Sequence, residues 1–241
     1  MLSNGVRWPR LVLKTVFLDA GGVLIFPNWS RIEAAMAARG VSVSADALSR
    51  AEPKARQRLD DGRMIGTTTD AGRGWLFFDL ILEEAGIPRS QATTAALTEL
   101  HAYHQANNLW EFIPDGVKPA LTALRRHGLT LTVVSNANGT LRAHMRRIGL
   151  DSLVDIVIDS CEEGVEKPDP RLFQIALERS GAVPESTIHV GDFYQVDVVG
   201  ARAAGLRAIL LDETNLRPDA DCPRVSSLSQ LVSEVEAGKW D

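Results

Sequence analysis

Phe17-Leu18-Asp19-Ala20-Gly21-Gly22-Val23-Leu24 is the stretch on which the reading of this chain turns. It closes the continuous apolar run Thr15-Val16-Phe17-Leu18 with an aspartate and a pair of turn-forming glycines. An apolar run with no polar alternation is expected of a strand covered on both faces, as in a parallel sheet flanked by helices. Four further runs of the same kind follow: Leu129–Val134, Ile156–Ile158, Ile188–Val190 and Ala208–Leu211. Helical patterns separate them, at Ala120–Arg126, Leu141–Ile148, Pro170–Ser180 and Val196–Ala204, each ending at or just before a glycine. Alternating strands and helices predict a doubly wound, Rossmann-like α/β parallel sheet.

That rhythm is absent between residues 27 and 111. Ile32–Ala38, Ala45–Leu59, Trp75–Ala85 and Ala92–Asn107 read as helices, punctuated by Gly40, Gly62, Gly86 and Pro88, and no strand run intervenes. Pro53 is expected to restart or kink the second of these. The expected organisation is an α/β core at residues 1–26 and 112–241 with an inserted all-helical cap domain at 27–111.

Composition narrows the class. With 241 residues, 45% hydrophobic and 24% charged, the chain is an ordinary globular protein. A net charge of −5 argues against nucleic acid as an obligatory partner, and no apolar run is long enough to span a bilayer. The N-terminal residues read as a short tail feeding into the first strand, without a secretory cleavage pattern. Cys161 and Cys222 lack metal-motif spacing and read as reduced thiols. A cytoplasmic protein is expected, while its oligomeric state stays open.

Four polar clusters stand at or just beyond strand ends: Asp19 to Leu24, Ser135-Asn136, Lys167-Pro168-Asp169-Pro170, and Gly191-Asp192-Phe193-Tyr194-Gln195-Val196-Asp197. Open α/β sheets bind ligands at the carboxyl edge of their strands, so the clusters should converge on one crevice. Each alone reads as a turn or helix cap. Their ordered combination does not.

The motifs FLDAGGVL, VVSN, EKPDP and VGDFYQVD resemble those of the haloacid dehalogenase superfamily, in the branch whose helical cap lies between the first two motifs. The resemblance covers nearly the whole chain. It implies a Mg²⁺-dependent hydrolase of a small phosphorylated metabolite, in which Asp19 attacks phosphorus to give an aspartyl-phosphate. Catalytic roles are implied for Asp19, Ser135 and Lys167, and metal ligation for Asp19, the Gly21 carbonyl, Asp192 and Asp197, the last either directly or through water. Gly22, Ser135, Asn136 and Lys167 are implied to bind phosphate, in part through backbone N–H groups.

Gly21 departs from the pattern. Most phosphatases of this family carry there a second aspartate that protonates the leaving group. Its absence admits three readings: a phosphatase slow on alkyl phosphates, an enzyme cleaving carbon–halogen or carbon–phosphorus bonds, or a phospho-ligand-binding protein without turnover. Halide displacement requires no cation, so Gly191-Asp192 and Asp197 favour phosphorus chemistry. Phosphonate cleavage would need a cap lysine, and Lys54 is the single lysine between residues 27 and 111, in surroundings unlike such a site. His101 and His104 could replace the missing acid but read first as surface or packing residues. Arg50, Lys54 and Arg58 share a helix face and read as solvated surface, Trp75, Phe77 and Phe78 as the cap's core, and His189 as a buried, hydrogen-bonded histidine.

Overall fold

The computed structural model describes residues 12–60, 65 and 70–241. Six parallel strands form one sheet: β1 (Thr15–Leu18), β2 (Thr130–Ser135), β3 (Ile156–Asp159), β4 (Thr187–Gly191), β5 (Arg207–Leu211) and β6 (Arg224–Val225), in the order β3-β2-β1-β4-β5-β6. β1 therefore lies between β2 and β4, and the strand order reverses beside it. That is the switch point at which doubly wound sheets open a binding crevice.

The continuous apolar runs are buried on both faces. Val16 and Leu18 point into one apolar cluster, shared with α5 (Val117–Arg126), α6 (Leu141–Arg147) and α10 (Leu228–Glu236). Phe17, between them, points into the opposite cluster with Leu172, Phe173 and Ala176 of α8 (Pro170–Ser180) and Ala201 of α9 (Val199–Ala203). The alternation is the pleat of the strand, and it makes both helical layers obligatory.

Local rules account for the main crossovers. α8 opens with Pro170 in its first turn and Asp169 as N-cap, whose carboxylate accepts the Arg171 N–H at 2.9 Å, and it closes on Gly181 with φ 63°. The short helix α7 (Ser160–Glu163), capped by Asp159, follows β3 directly.

Helices α1 (Trp29–Ala37), α2 (Ala45–Leu59), α3 (Asp70–Glu84) and α4 (Gln91–Asn107) enclose a separate apolar cluster that includes Ile32, Met36, Leu48, Phe78, Ile81 and Leu100. The chain leaves and rejoins the sheet layer at one antiparallel bridge, Phe26 N–H to Phe112 O at 2.8 Å and the reverse bond at 3.0 Å. α2 runs through Pro53 as one helix, against the expected restart. Its proline lacks only one N–H, and the buried Leu48, Ala51, Ala55 and Leu59 hold the helix from both sides.

β6, α7 and α10 are additions to the expected pattern, and Val196–Ala204 is not one helix but a π turn (Tyr194–Val198) followed by α9. Short edge strands and π turns leave little periodicity to read. The expected N-terminal tail and the punctuation at Gly62 lie outside the described residues. No helix among the described residues is long and apolar enough to cross a membrane.

Candidate active site

All four polar clusters meet at the carboxyl ends of β1, β2 and β4. Asp19 leaves β1 with its N–H bonded to Val190 O at 2.9 Å, which ties the first cluster to the strand carrying the fourth. Ser135 ends β2, and its hydroxyl helps to stabilise the Asp19 carboxylate. Lys167 is 1% exposed, and its Nζ stands 2.9 Å from Asp19 Oδ1 and 2.6 Å from Asp197 Oδ1. The first of these is an ion pair lacking hydrogen-bond alignment, since Asp19 Oδ1 has no hydrogen-bond partner, whereas the second is a hydrogen bond.

Two glycines let the acidic groups approach. Gly22 has φ 71°, and a Cβ there would fall 2.0 Å from Asp192 Oδ2. A Cβ at Gly191 would fall 2.1 Å from Asp197 Cγ. No side chain fits either position while both aspartates keep their places. Gly21 differs: a Cβ would lie 3.5 Å from Trp110 Nε1, an ordinary contact, so that position tolerates a side chain.

Asp19, Asp192 and Asp197 each offer an oxygen within 4.8 Å of the others. Such a set suits a hard divalent cation, which takes oxygen ligands and neutralises crowded carboxylates. Asp192 Oδ1 is buried and unpartnered. The Gly21 carbonyl accepts no hydrogen bond among the described residues. A buried carboxylate oxygen without a donor is costly unless a cation meets it, so the donor set fits the expected ion.

Asp197 is held differently. Its Oδ1 accepts from Lys167 Nζ and lies 2.9 Å from His189 Nε2, while its Oδ2 accepts the Phe193 N–H at 3.0 Å. His189 is fully buried, and that burial lowers its pKa despite Asp197 beside it. The neutral ring must then donate from Nε2, because an ionised carboxylate only accepts. Asn136 uses its carboxamide on Lys167, giving Nδ2–H to Lys167 O at 3.0 Å and accepting the Lys167 N–H at 2.7 Å. Its side chain thus sets the Lys167 loop.

Charge and burial divide these groups. Burial raises the Asp19 carboxyl against the opposing pull of Lys167, and raises Asp192 well above the ordinary carboxylate range. At Asp197 burial would do the same, but Lys167 and His189 outweigh it and hold the carboxyl low. Burial would lower Lys167, but Asp19 and Asp197 reverse the shift and keep it cationic.

Three functional neighbours escape a motif search. Arg56 of α2 reaches across to place Nη1 3.1 Å from Asp192 Oδ2, while its Nη2 lies 2.8 Å from Glu52 Oε2. Asp60, the C-cap of α2, accepts the N–H groups of Tyr194 and Gln195, both at 2.8 Å. The signal was present: Glu52 and Arg56 fall among Leu48, Ala51, Ala55 and Leu59 on the apolar stripe of α2, where charges are rarely found without partners. Arg50 and Arg58 instead pair with Asp46 and with Glu83 and Glu84 on the solvated face, and Lys54 is exposed on the same helix. His104 and His101 pack against Trp75, and His104 Nδ1 accepts the Leu109 N–H at 3.1 Å. Packing is their observed part. Cys161 and Cys222 are free thiols.

Residues 13–205 match the haloacid dehalogenase-like hydrolase family. The chain belongs to this family. It is 32% identical over 180 residues to bovine (Bos taurus) haloacid dehalogenase-like hydrolase domain-containing protein 3, a match spanning 72% of this chain and 70% of that protein. It is 30% identical over 184 residues to a ribulose-1,5-bisphosphate 5-phosphatase of Halopiger xanaduensis, spanning 75% and 73%. With the mouse counterpart of the bovine protein, the matched stretch spans 50% of the relative's length. A magnesium-bound hydrolase of the same superfamily from Bacillus subtilis superposes over 93% of this chain and 99% of its own, with a TM-score of 0.67 at 18% identity, which is a likeness of fold. This haloacid dehalogenase-like hydrolase carries its polar clusters at the carboxyl edge of its sheet, where doubly wound folds open a crevice.

Proposed function

We propose that this hydrolase is a Mg²⁺-dependent phosphatase of a small phosphorylated metabolite, acting through an aspartyl-phosphate at Asp19. One observation carries the reading: Asp19, the one of the three clustered aspartates with a side chain bordering solvent, faces the ammonium of Lys167 on one side and a half-satisfied Asp192 on the other. The relative described as a ribulose-1,5-bisphosphate 5-phosphatase supports phosphoryl transfer. The helical segment 27–111, joined to the sheet layer at the Phe26–Phe112 bridge, is read as a cap over the site.

Asp19, Asp192 and the Gly21 carbonyl would hold the cation, whose charge would let a carboxylate approach a phosphate dianion. Asp19 forms a bond to phosphorus while the ester oxygen leaves with its electron pair. Water then attacks phosphorus, the bond to Asp19 breaks, and inorganic phosphate departs. Lys167 offsets charge on Asp19 and the transferring group, and Ser135 donates to its oxygens, whereas the Gly22 N–H, expected to bind phosphate, is already given to Ile25 O at 3.0 Å. Asp197, with both oxygens engaged, serves here to position Lys167.

Gly21 offers no proton, so the favoured substrates are those whose leaving oxygen departs as a stabilised anion: acyl and aryl phosphates ahead of sugar phosphates. The carbon–halogen alternative is disfavoured because Asp192, beside Asp19, keeps a buried oxygen without a donor, which a cation would satisfy. With Mg²⁺ present, Asp19→Asn should abolish turnover of a panel of phosphate esters. Turnover at the parent rate would remove Asp19 from the chemistry, and halide release from 2-haloacids insensitive to chelator would replace the reading.

A further inference from the structure

α2 and its C-cap Asp60 grip the fourth cluster and the loop after β5, but only one of these contacts touches the acidic trio. Asp60 holds the backbone N–H groups of Tyr194 and Gln195, and Gln57 Nε2 donates to Leu216 O at 2.8 Å. Arg56 alone binds a carboxylate of the trio, at Asp192 Oδ2. Arg56 is 7% exposed and Glu52 5%, so this is a buried pair of charges set against a third. Beside them lies a cavity of about 30 Å³ lined by Arg56, Asp60, Asp192 and Arg217, room for about one water. The Arg56 guanidinium thus sits against the same aspartate that belongs to the acidic trio.

We infer that Arg56 is a positioning residue that ties cation binding to the docking of α2: its guanidinium serves as counter-ion to Asp192, and a divalent cation entering the trio competes with it. The inference rests on the cation site proposed above. Two features make the exchange feasible. Asp192 keeps one oxygen unpartnered while Arg56 holds the other, so its carboxylate is only half satisfied in this state. Arg56 carries its second partner, Glu52, four residues earlier on its own helix. Releasing Asp192 therefore leaves no buried arginine without a carboxylate, the condition under which breaking a buried pair is most costly. Both states are electrostatically complete, and by linkage whatever Arg56 takes from cation affinity the cation takes from α2 docking.

Opposite-signed substitutions test this by calorimetric titration of the whole chain with MgCl₂ alone. Arg56→Gln removes the competitor and should tighten Mg²⁺ binding on the order of tenfold. Arg56→Lys should stay near the parent. Glu52→Gln leaves Asp192 as the sole partner of Arg56 and should weaken Mg²⁺ binding. A purely structural role would shift Arg56→Gln and Glu52→Gln in the same direction, and that result overturns the inference. Saturating Mg²⁺ should also speed hydrogen exchange at residues 57–60 in the parent, and unchanged exchange counts against it. Asp192→Asn separates the two layers of argument. If it abolishes Mg²⁺ binding while Arg56→Gln leaves the affinity unchanged or weaker, the Arg56 inference falls and the cation site stands. If Asp192→Asn binds Mg²⁺ like the parent, the cation site itself falls.

Discussion

Asp192 and Asp197 belong to one turn after β4, and both are buried, yet they are held in opposite ways. Asp197 has a donor on each oxygen, from Lys167, His189 and the Phe193 N–H, and its carboxyl is held low. Asp192 has Arg56 on one oxygen and nothing on the other, and burial drives its carboxyl up. A fully satisfied buried carboxylate is a structural brace. A half-satisfied one has an oxygen able to take a further partner, and in a crevice lined by other acidic groups that partner fits a cation. One side of this crevice is thus built to stay as it is, and the other to change partners.

Substitution can break that contrast. Asp197→Ala strips Lys167 of its shortest ion pair and His189 of its acceptor. It should destabilise the fold by about 2–5 kcal/mol, because the His189 ring and the Phe193 N–H lose their acceptor, at about 1–3 kcal/mol each, while Lys167 keeps only Asp19. Denaturant unfolding measures this, and a loss of under 1 kcal/mol would deny Asp197 its bracing role. Asp192→Asn should change stability by less than about 1 kcal/mol, because it removes a carboxylate that burial already disfavours.

A second substitution sharpens the chemistry beside the changeable half. Gly21→Asp fits the space next to Trp110 and restores a proton donor. Turnover of alkyl phosphates should rise by about 10²–10⁴-fold, with much less gain on acyl phosphates. A uniform change across leaving groups would show that proton supply does not limit the parent.

The smallest effect concerns Asp60, which attaches α2 beside both aspartates. Burial raises its carboxyl to about 6 in spite of its N–H and Arg217 partners. The folded protein therefore holds this proton more tightly than the unfolded chain does. The stabilisation linked to it is complete below the ordinary aspartate range and declines as pH rises towards about 6. Stability of the parent relative to Asp60→Asn should fall across that window and level off above it. A flat difference would mean that Asp60 does not titrate there.

The sheet and the crevice could be read in the sequence because each rests on a local signal. The runs Val16-Phe17-Leu18 and Ala208-Ile209-Leu210-Leu211 are apolar without alternation, as befits strands buried on both faces. Asp19, Ser135 and Asp192 end or directly follow a strand, so the rules of the parallel sheet were enough to bring them to one edge, while Lys167 lies in the loop before α8 and was marked by its Pro-Asp-Pro sequel. β6 and the π turn at Tyr194–Val198 gave no such signal, being too short for a period to show. Arg56 and Asp60 were hidden for another reason. Their partners stand 136 and 134 positions away, and nothing local to α2 names them.

From its residues alone, then, this chain dictated the order of its strands and helices, the glycines that admit the acidic turn, and the loss of a proton donor at residue 21. The strand order apart from β6 and the loss at residue 21 follow from period and side-chain chemistry, which neighbours along the chain decide, whereas the demand for glycine at residue 22 comes from Asp192 across the fold. Only the folded structure decided which aspartate is braced, which is left half-satisfied, and which arginine answers it. Those outcomes depend on desolvation and distance between groups far apart in sequence, quantities that come into being only when the chain has closed around them.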